Sequence, residues 1–483
     1  MLCIILSVLI GLFTLVLLFS TRVRRQNEPP LDQGLLPWLG HALTFGKDAA
    51  KFLARMKEKH GDIFTVRLAG RYMTVLLDPA SYDAVLGDTA SFTQNRSQLL
   101  KSIFSLVLPD MQPSAERTLM EQHFQGASLS KLNGAMGAHL QSLLLSEHQG
   151  CRSAEWSQDG LFSFCYSLLF RAGYLTLFEG RDNDAAVYKE FRKFDGLLTK
   201  LAYRSLKGEE RQTADSSRER LWRLLTPVRT SGGSESGSWQ QNYCRFLRGE
   251  GVDEETQTRA LLLQLWTTQC NAGPAAFWLL GFLLAHPAAM EAVKAEVGTL
   301  HHLTNGPVAA LQAHRTPVLD SALAETLRLT AAVMINREVA RARTLATAGG
   351  REYHLRRGDR VCLFPFLSPQ MDPEIHQDPQ LFKYDRFLNE DMTVKDAFYR
   401  NEKRLKYYTM PWGAGRNVCV GKDFAVASIK QFVFLVLTSL DVELCDPEAK
   451  LPPVNPSRYG FGMLQPKGDL QIRYRLKRTQ HRM

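Results

Sequence analysis

The stretch MPWGAGRNVCVGKDFAVASIKQFVF, residues 410–434, gathers chemistry-bearing residues at close spacing. Cys419 is surrounded by Gly413, Gly415 and Gly421, follows Arg416, and precedes an apolar run of helical length. Glycines let a backbone turn tightly and approach another group closely. A cysteine just before a helix start meets the positive end of the helix dipole, which favours the thiolate, and Arg416 adds a cation. Such a thiolate is a nucleophile or a metal ligand. A nucleophile needs a general base, and the stretch contains no histidine. An axial ligand to haem iron needs this combination instead: a cysteine in a Gly-rich loop, with an arginine to meet a propionate.

A second stretch, WTTQCNAGPAAFWLL (266–280), sits in a long uncharged run yet places Gln269, Cys270, Asn271, Gly273 and Pro274 at its centre. Hydropathy alone would read 260–285 as a membrane span, but lipid offers nothing to satisfy those amides. A helix buried through the core of a large soluble body fits, with Pro274 depriving the Cys270 carbonyl of its helical partner. Trp266 lies one turn before Cys270 on the same face. In ETLR (325–328), Glu325 and Arg328 share a face of a helix over 318–330.

The cysteine loop resembles the haem-binding loop of the cytochrome P-450 superfamily, Phe-x-x-Gly-x-Arg-x-Cys-x-Gly, with Trp412 at the first position and Asn417 at the arginine position, Arg416 standing one residue earlier. The resemblance implies the cytochrome P-450 fold, mainly α with small β-sheets (α+β), and haem b (iron protoporphyrin IX) as cofactor. Cys419 would be the catalytic axial ligand to the iron, Arg416 a propionate partner, and Trp412 and Gly415 part of the haem-binding loop. Arg386, in FKYDRF (382–387), would complete a structural triad with Glu325 and Arg328, although Tyr384 and Asp385 replace the usual Pro-Glu.

Most members of the superfamily carry an acid and then a threonine on the central helix, relaying protons to iron-bound dioxygen. Counting back from His286-Pro287 puts those positions on Cys270 and Asn271, so the relay is missing. An amide can still donate to a bound oxygen atom. This departure, with FLARMKEKHGDIFTV, FRAGYLTL, LRLTAAVMINREV, RRGDR and SRYGFGMLQP, narrows the resemblance to an isomerase branch. It implies conversion of prostaglandin H endoperoxide to prostacyclin (prostaglandin I) at ferric haem, by O–O homolysis and radical rearrangement. Neither NADPH nor dioxygen would be consumed, and no reductase would be obligatory. The alternatives are a sterol hydroxylase of the bile-acid branch and, outside enzymes, a non-catalytic haem-binding membrane protein. By position, Asn271 would contact substrate above the iron and Trp266 would wall the pocket. Asn336 and Arg337 would line the site, Arg337 alternatively gripping a propionate. Arg360 would meet the substrate carboxylate or a propionate. Leu108 and Ser102, in KSIFSLVLP (101–109), would cover the distal side, with Met463 and Leu464 at its border.

The elements that must position these residues are read from the rest of the chain. Its 483 residues are 45% apolar and 22% charged, a globular composition. The charge of +10 is scattered without aromatic interleaving, which suits an acidic membrane or partner better than a nucleic-acid surface. The eight cysteines are widely spaced with no CxxC pair, so reduced thiols are expected rather than a disulfide framework. Residues 2–20 are uncharged and are followed by TRVRR, the pattern of a signal anchor with the remainder cytosolic. The expected organisation is a transmembrane anchor over 1–21, a Pro/Gly linker over 22–45 and one catalytic domain over 46–483. A small hairpin is expected over 61–78, helices through most of 80–300, a flexible loop over 230–239, strands over 351–366 and a closing strand pair after 458. The expected protein is a monomer in the endoplasmic-reticulum membrane, working near a cyclooxygenase.

Overall fold

The computed structural model describes residues 22–93, 97–109, 113–146, 155–179, 182–230, 238–304 and 306–477, with Gly11 and Met111 singly. The expected anchor, Gly11 apart, and most of the 230–239 loop lie outside the described residues.

The alternating segment 61–78 forms the expected hairpin. After β1 (Leu31–Asp32) and α1 (Ala49–His60), β2 (Ile63–Leu68) pairs antiparallel with β3 (Arg71–Leu76) across Ala69-Gly70. Gly70 turns at φ +76, a conformation that costs glycine nothing. The remaining strands are β4 (Phe92–Thr93), β5 (Ser157–Gly160), β6 (Ile335–Val339), β7 (Arg343–Ala346), β8 (Glu352–Leu355), β9 (Arg360–Leu363), β10 (Tyr399–Arg400), β11 (Lys403–Arg404), β12 (Leu440–Leu444) and β13 (Gln471–Leu476). One sheet runs β1-β2-β3-β9-β6-β4, and a second runs β12-β13-β5. The 351–366 strands therefore split: β8 pairs with β7, while β9 joins the large sheet. The strand pair expected after 458 is one strand, β13, which pairs with the preceding β12 and with β5 from far earlier in the chain.

The helices that matter for the site are α2 (Ser97–Phe104), α3 (Pro113–His123), α4 (Leu161–Phe178), α5 (Asp184–Tyr203), α6 (Gly208–Thr230), α7 (Glu254–Gln269), α8 (Ala272–Ala285), α9 (Pro317–Thr330) and α10 (Lys422–Ser439). Helix α4 is apolar on all sides and long enough to cross a membrane, yet most of it is buried. A helix apolar all round belongs inside. It packs along α8, which is equally apolar. Gly273 makes that approach possible, because a Cβ there would stand 2.5 Å from the Tyr166 ring. Fully burying each leucine or phenylalanine of this pair contributes roughly 1.5–3 kcal/mol.

The two faces of the large sheet bury different partners. Phe64, Val66, Met73, Val75 and Cys362 pack with Phe52 and Leu53 of α1. Ile335, Val339, Val361 and Leu363 pack with Met410 and Ala414 at the start of the cysteine loop. The 22–45 segment is pinned to this sheet: Arg22 bonds Asp359, and Arg356 donates to the buried Glu28 carboxylate at 2.9 Å.

Candidate active site

The cysteine loop owes its shape to two positive-φ glycines, Gly413 (φ +72) and Gly415 (φ +61). Between them and Gly421 the Cys419 N–H donates to the Trp412 carbonyl at 2.9 Å, closing the loop. Cys165, Cys244, Cys270 and Cys362 are buried, whereas the Cys419 side chain is exposed just before α10. Burial by the surrounding chain pushes its thiol pKa up, while the Gly421 N–H and the charge of Arg117 pull it down. The cation acting on the sulfur is therefore Arg117 of α3. Arg416 is exposed, and its contribution to the loop is its carbonyl, which accepts from Arg117 Nη1 at 2.7 Å. Arg117 also donates to the Val418 carbonyl at 3.2 Å, tying α3 to the loop. A lone arginine in AERTLM gave no signal of this role.

The helix break differs from the sequence expectation in a useful way. Helix α7 ends at Gln269, and α8 starts at Ala272 with Asn271 as its N-cap. Pro274 thus falls in the first turn of a new helix, where N–H groups have no intrahelical acceptor to lose. The Cys270 carbonyl accepts from the Tyr166 hydroxyl at 3.4 Å, so it is not left open. Cys270 is buried, and its thiol pKa is raised by burial first, then by Asp195, with the charge of Cys419 adding to the rise.

Asn271 is held by its carbonyl end. Its Oδ1 accepts the Met463 N–H at 3.0 Å, which leaves the Nδ2 hydrogens as the free donors. The neighbouring Gly462 has φ +92, and a Cβ there would sit 2.4 Å from Asn271 Oδ1. The turn carrying Gly462 and Met463 is itself fixed by a buried ion pair. Arg458 donates to Asp195 of α5 at 3.0 Å and 2.7 Å, and Gln465 adds a bond at 2.8 Å. Burial works against the Asp195 carboxylate, yet the Arg458 guanidinium holds its pKa below the usual range. Arg192 stacks over Tyr166 with its Cζ 4.4 Å from the ring centre, extending the network to α4. Sequence reasoning missed Asp195, Arg458 and Tyr166, because no spacing links three segments so far apart.

The structure brings Glu325, Arg328 and Arg386 together. Arg328 bonds Glu325 through Nε at 2.7 Å and Nη2 at 2.8 Å, and Arg386 Nε reaches both carboxylate oxygens at 2.9 Å. Arg328 Nη1 also donates to the carbonyls of Gln370 and Pro379 at 2.6 Å and 2.8 Å. Gln370 Oε1 then accepts the Met410 N–H at 3.4 Å, which links the triad to the cysteine loop.

The remaining site residues divide by sheet face and by wall. Arg337 is buried between Ile335 and Val339, on the face that packs with Met410 and Ala414. Asn336 pairs with Cys362 and Glu338 with Arg360, so Asn336 and Arg360 lie on the opposite face. The structure does not bring Asn336 and Arg360 to the loop with Arg337. Trp266 lies 5.9 Å from the Phe104 ring of α2, so these two meet on the distal wall. Leu108 packs partly buried against the same helical core, and the Ser102 hydroxyl is spent on the Leu99 carbonyl at 3.2 Å. Met463 and Leu464 are buried, and the Leu464 carbonyl accepts from the Trp278 indole at 2.7 Å. An accessible thiol in a glycine-turned loop, a buried guanidinium on the adjoining sheet and an apolar far wall fit a thiolate-ligated haem.

The cytochrome P450 family model matches residues 29–190 and 259–472. The chain is 49% identical over 476 residues to prostacyclin synthase of Homo sapiens, covering 94% of this chain and 95% of that protein. It is likewise 49% identical to prostacyclin synthase of Rattus norvegicus, with the same coverage. With the 7-alpha-hydroxycholest-4-en-3-one 12-alpha-hydroxylase of Homo sapiens it shares 41% identity, over 95% of each chain.

Proposed function

From the premise that the chain belongs to the cytochrome P450 family, we propose that it isomerises prostaglandin H endoperoxide to prostacyclin, consuming neither NADPH nor dioxygen. The cofactor is haem b, which Cys419 would hold by its thiolate, while the buried Arg337 would meet a propionate. When bound, that group supplies one-electron cleavage of a peroxide O–O bond and takes an electron back from the rearranged carbon centre.

The chain's own residues account for the rest. The observation that carries the reading is Asn271, whose amide oxygen is committed to the Met463 N–H so that its two hydrogens are left for an oxygen atom of the substrate. Cys270, buried and with its pKa raised, releases no proton there. A reaction that keeps both substrate oxygens needs an orienting donor at this place and no proton relay. Trp266 and Phe104 shield the distal side from water, and the Glu325–Arg328–Arg386 cluster holds the loop that presents Cys419.

The same reading gives a single-pass anchor over 1–21, a sheet-pinned segment over 22–45 and one catalytic domain over 46–483. It places a monomer on the cytosolic face of the endoplasmic reticulum, near a cyclooxygenase that supplies the unstable endoperoxide. The test is anaerobic. Haem-loaded enzyme mixed with the endoperoxide, without NADPH or reductase, is expected to yield the bicyclic product; no such product would overturn the proposal. A hydroxylated sterol formed only with reductase and dioxygen would favour the hydroxylase.

A further inference from the structure

The β7–β8 hairpin and the segment before β1 enclose a cleft that the proposed reaction does not use. Thr344 stands opposite His354, and Glu352 lies two residues before His354 on the same strand, so all three share one face. Leu345 and Leu355, on the other face, are buried in the core, which turns Thr344, Glu352 and His354 outwards. Residues 25–27 cross in front of them, and the Asn27 carbonyl accepts the His354 N–H at 2.6 Å. Between the two segments lies a cleft of about 380 Å³, lined by Arg25, Gln26, Asn27, Thr344, Glu352 and His354. That volume is in the range of small-molecule sites.

The lining offers both charges and keeps them apart. Among the described residues, the side chains of Arg25, Thr344, Glu352 and His354 make no hydrogen bond or ion pair. Arg25 and Glu352 therefore border one cleft without neutralising each other. A guanidinium, with an imidazole and a hydroxyl beside it, suits the oxygens of a phosphate. A carboxylate suits an ammonium that can donate N–H bonds to it. A phosphate joined by a short link to a primary ammonium answers both, and that is the headgroup of an ethanolamine phospholipid.

The position brings such a headgroup within reach. Arg22, the first residue after the proposed anchor, is fixed to the body: its side chain bonds Asp359, and its N–H and carbonyl both pair with the Gln33 amide at 2.9 Å. Arg356 holds Glu28 on the far side of residues 25–27. Arg25 follows residue 21 by at most about 14 Å of extended chain, so the cleft cannot lie far from the lipid surface. The same segment exposes Val23, Leu35 and Trp38, apolar side chains that suit a bilayer interface. Resting on the single-pass anchor proposed above, we infer that this cleft binds the headgroup of a membrane phospholipid, its phosphate at Arg25, His354 and Thr344 and its primary ammonium at Glu352.

The experiment titrates full-length, haem-loaded enzyme in detergent with phosphatidylethanolamine or phosphatidylcholine and counts the lipid bound per chain by native mass spectrometry. The wild type is expected to bind one phosphatidylethanolamine about ten-fold more tightly than phosphatidylcholine, whose ammonium has no N–H to donate. Glu352→Gln should erase that preference by weakening the ethanolamine lipid alone. Arg25→Gln should weaken both lipids about ten-fold. Haem content, expected unchanged in both variants, reports an intact fold. Equal wild-type affinity for the two lipids, or a preference untouched by Glu352→Gln, overturns the site. Soluble O-phosphoethanolamine bound as tightly as the lipid would overturn the bilayer as the source of the ligand. Release of the chain from membranes by alkaline carbonate would overturn the anchor; a chain that stays in the membrane and shows no lipid preference overturns the headgroup site alone.

Discussion

In the proposed reaction Cys419 would hold the cofactor and Asn271 would orient the substrate. Cys419→Ala removes the exposed thiol next to the α10 start, and is expected to abolish thiolate-type haem absorption; retained absorption would mean another ligand. Asn271→Leu keeps similar volume but deletes the donor that Met463 orients. Removing one preorganised donor aimed at developing charge costs on the order of 10²–10³ in kcat. Steady-state kinetics should show that loss, with haem content unchanged; wild-type turnover would contradict the role. Both residues were legible in the sequence, Cys419 from its glycines and Asn271 from its register against His286-Pro287. The groups that orient them were not, because the Met463 N–H and the Tyr166 hydroxyl come from segments with no local relation to α7.

Between elements, the contacts that fix the site are buried and polar. The Asp195–Arg458 pair joins α5 to the turn that carries Met463, with side chains 0% and 6% exposed. Leaving one member of such a pair behind costs roughly 3–5 kcal/mol, whereas replacing both by apolar residues of similar size is far milder. Arg458→Met should therefore lower the midpoint of thermal inactivation sharply, and Asp195→Leu with Arg458→Met should recover much of the loss. Equal damage from the single and double variants would contradict this account. The sheet carries a different lesson. Neighbouring strand residues point to opposite faces, so Asn336 and Arg337 could not both reach the loop. Which of them does is decided by packing against Met410 and Ala414, contacts invisible in the local pattern.

Over the whole molecule, the helical body, the hairpin and the cysteine loop were legible because each is coded by a continuous segment. The sheet order was not, since β13 finds partners in β5 and β12 only after the chain has closed on itself. One global property follows from a residue the sequence did not mark. His376 is buried beside the Glu325 triad, its Nε2–H donating to the Tyr408 carbonyl at 2.9 Å, and burial pulls its pKa down to about 3. In the unfolded chain it takes a proton below about pH 6.5, so its contribution is whole above that pH and drains away towards pH 3. The slope is at most about 1.4 kcal/mol per pH unit. Between pH 6.5 and 5, His376→Gln should lose thermal stability less steeply than wild type; parallel profiles would contradict a buried neutral histidine.

The central claim is that both endoperoxide oxygens are kept in the product and that no oxygen enters from dioxygen. Endoperoxide of natural isotopic content should be turned over in heavy-oxygen-labelled dioxygen, with reductase and NADPH supplied, and the product weighed by mass spectrometry. The account predicts a product free of heavy oxygen, formed at the same rate when reductase and NADPH are left out. A heavy oxygen atom in the product, or turnover that stops without the reductase, would contradict it.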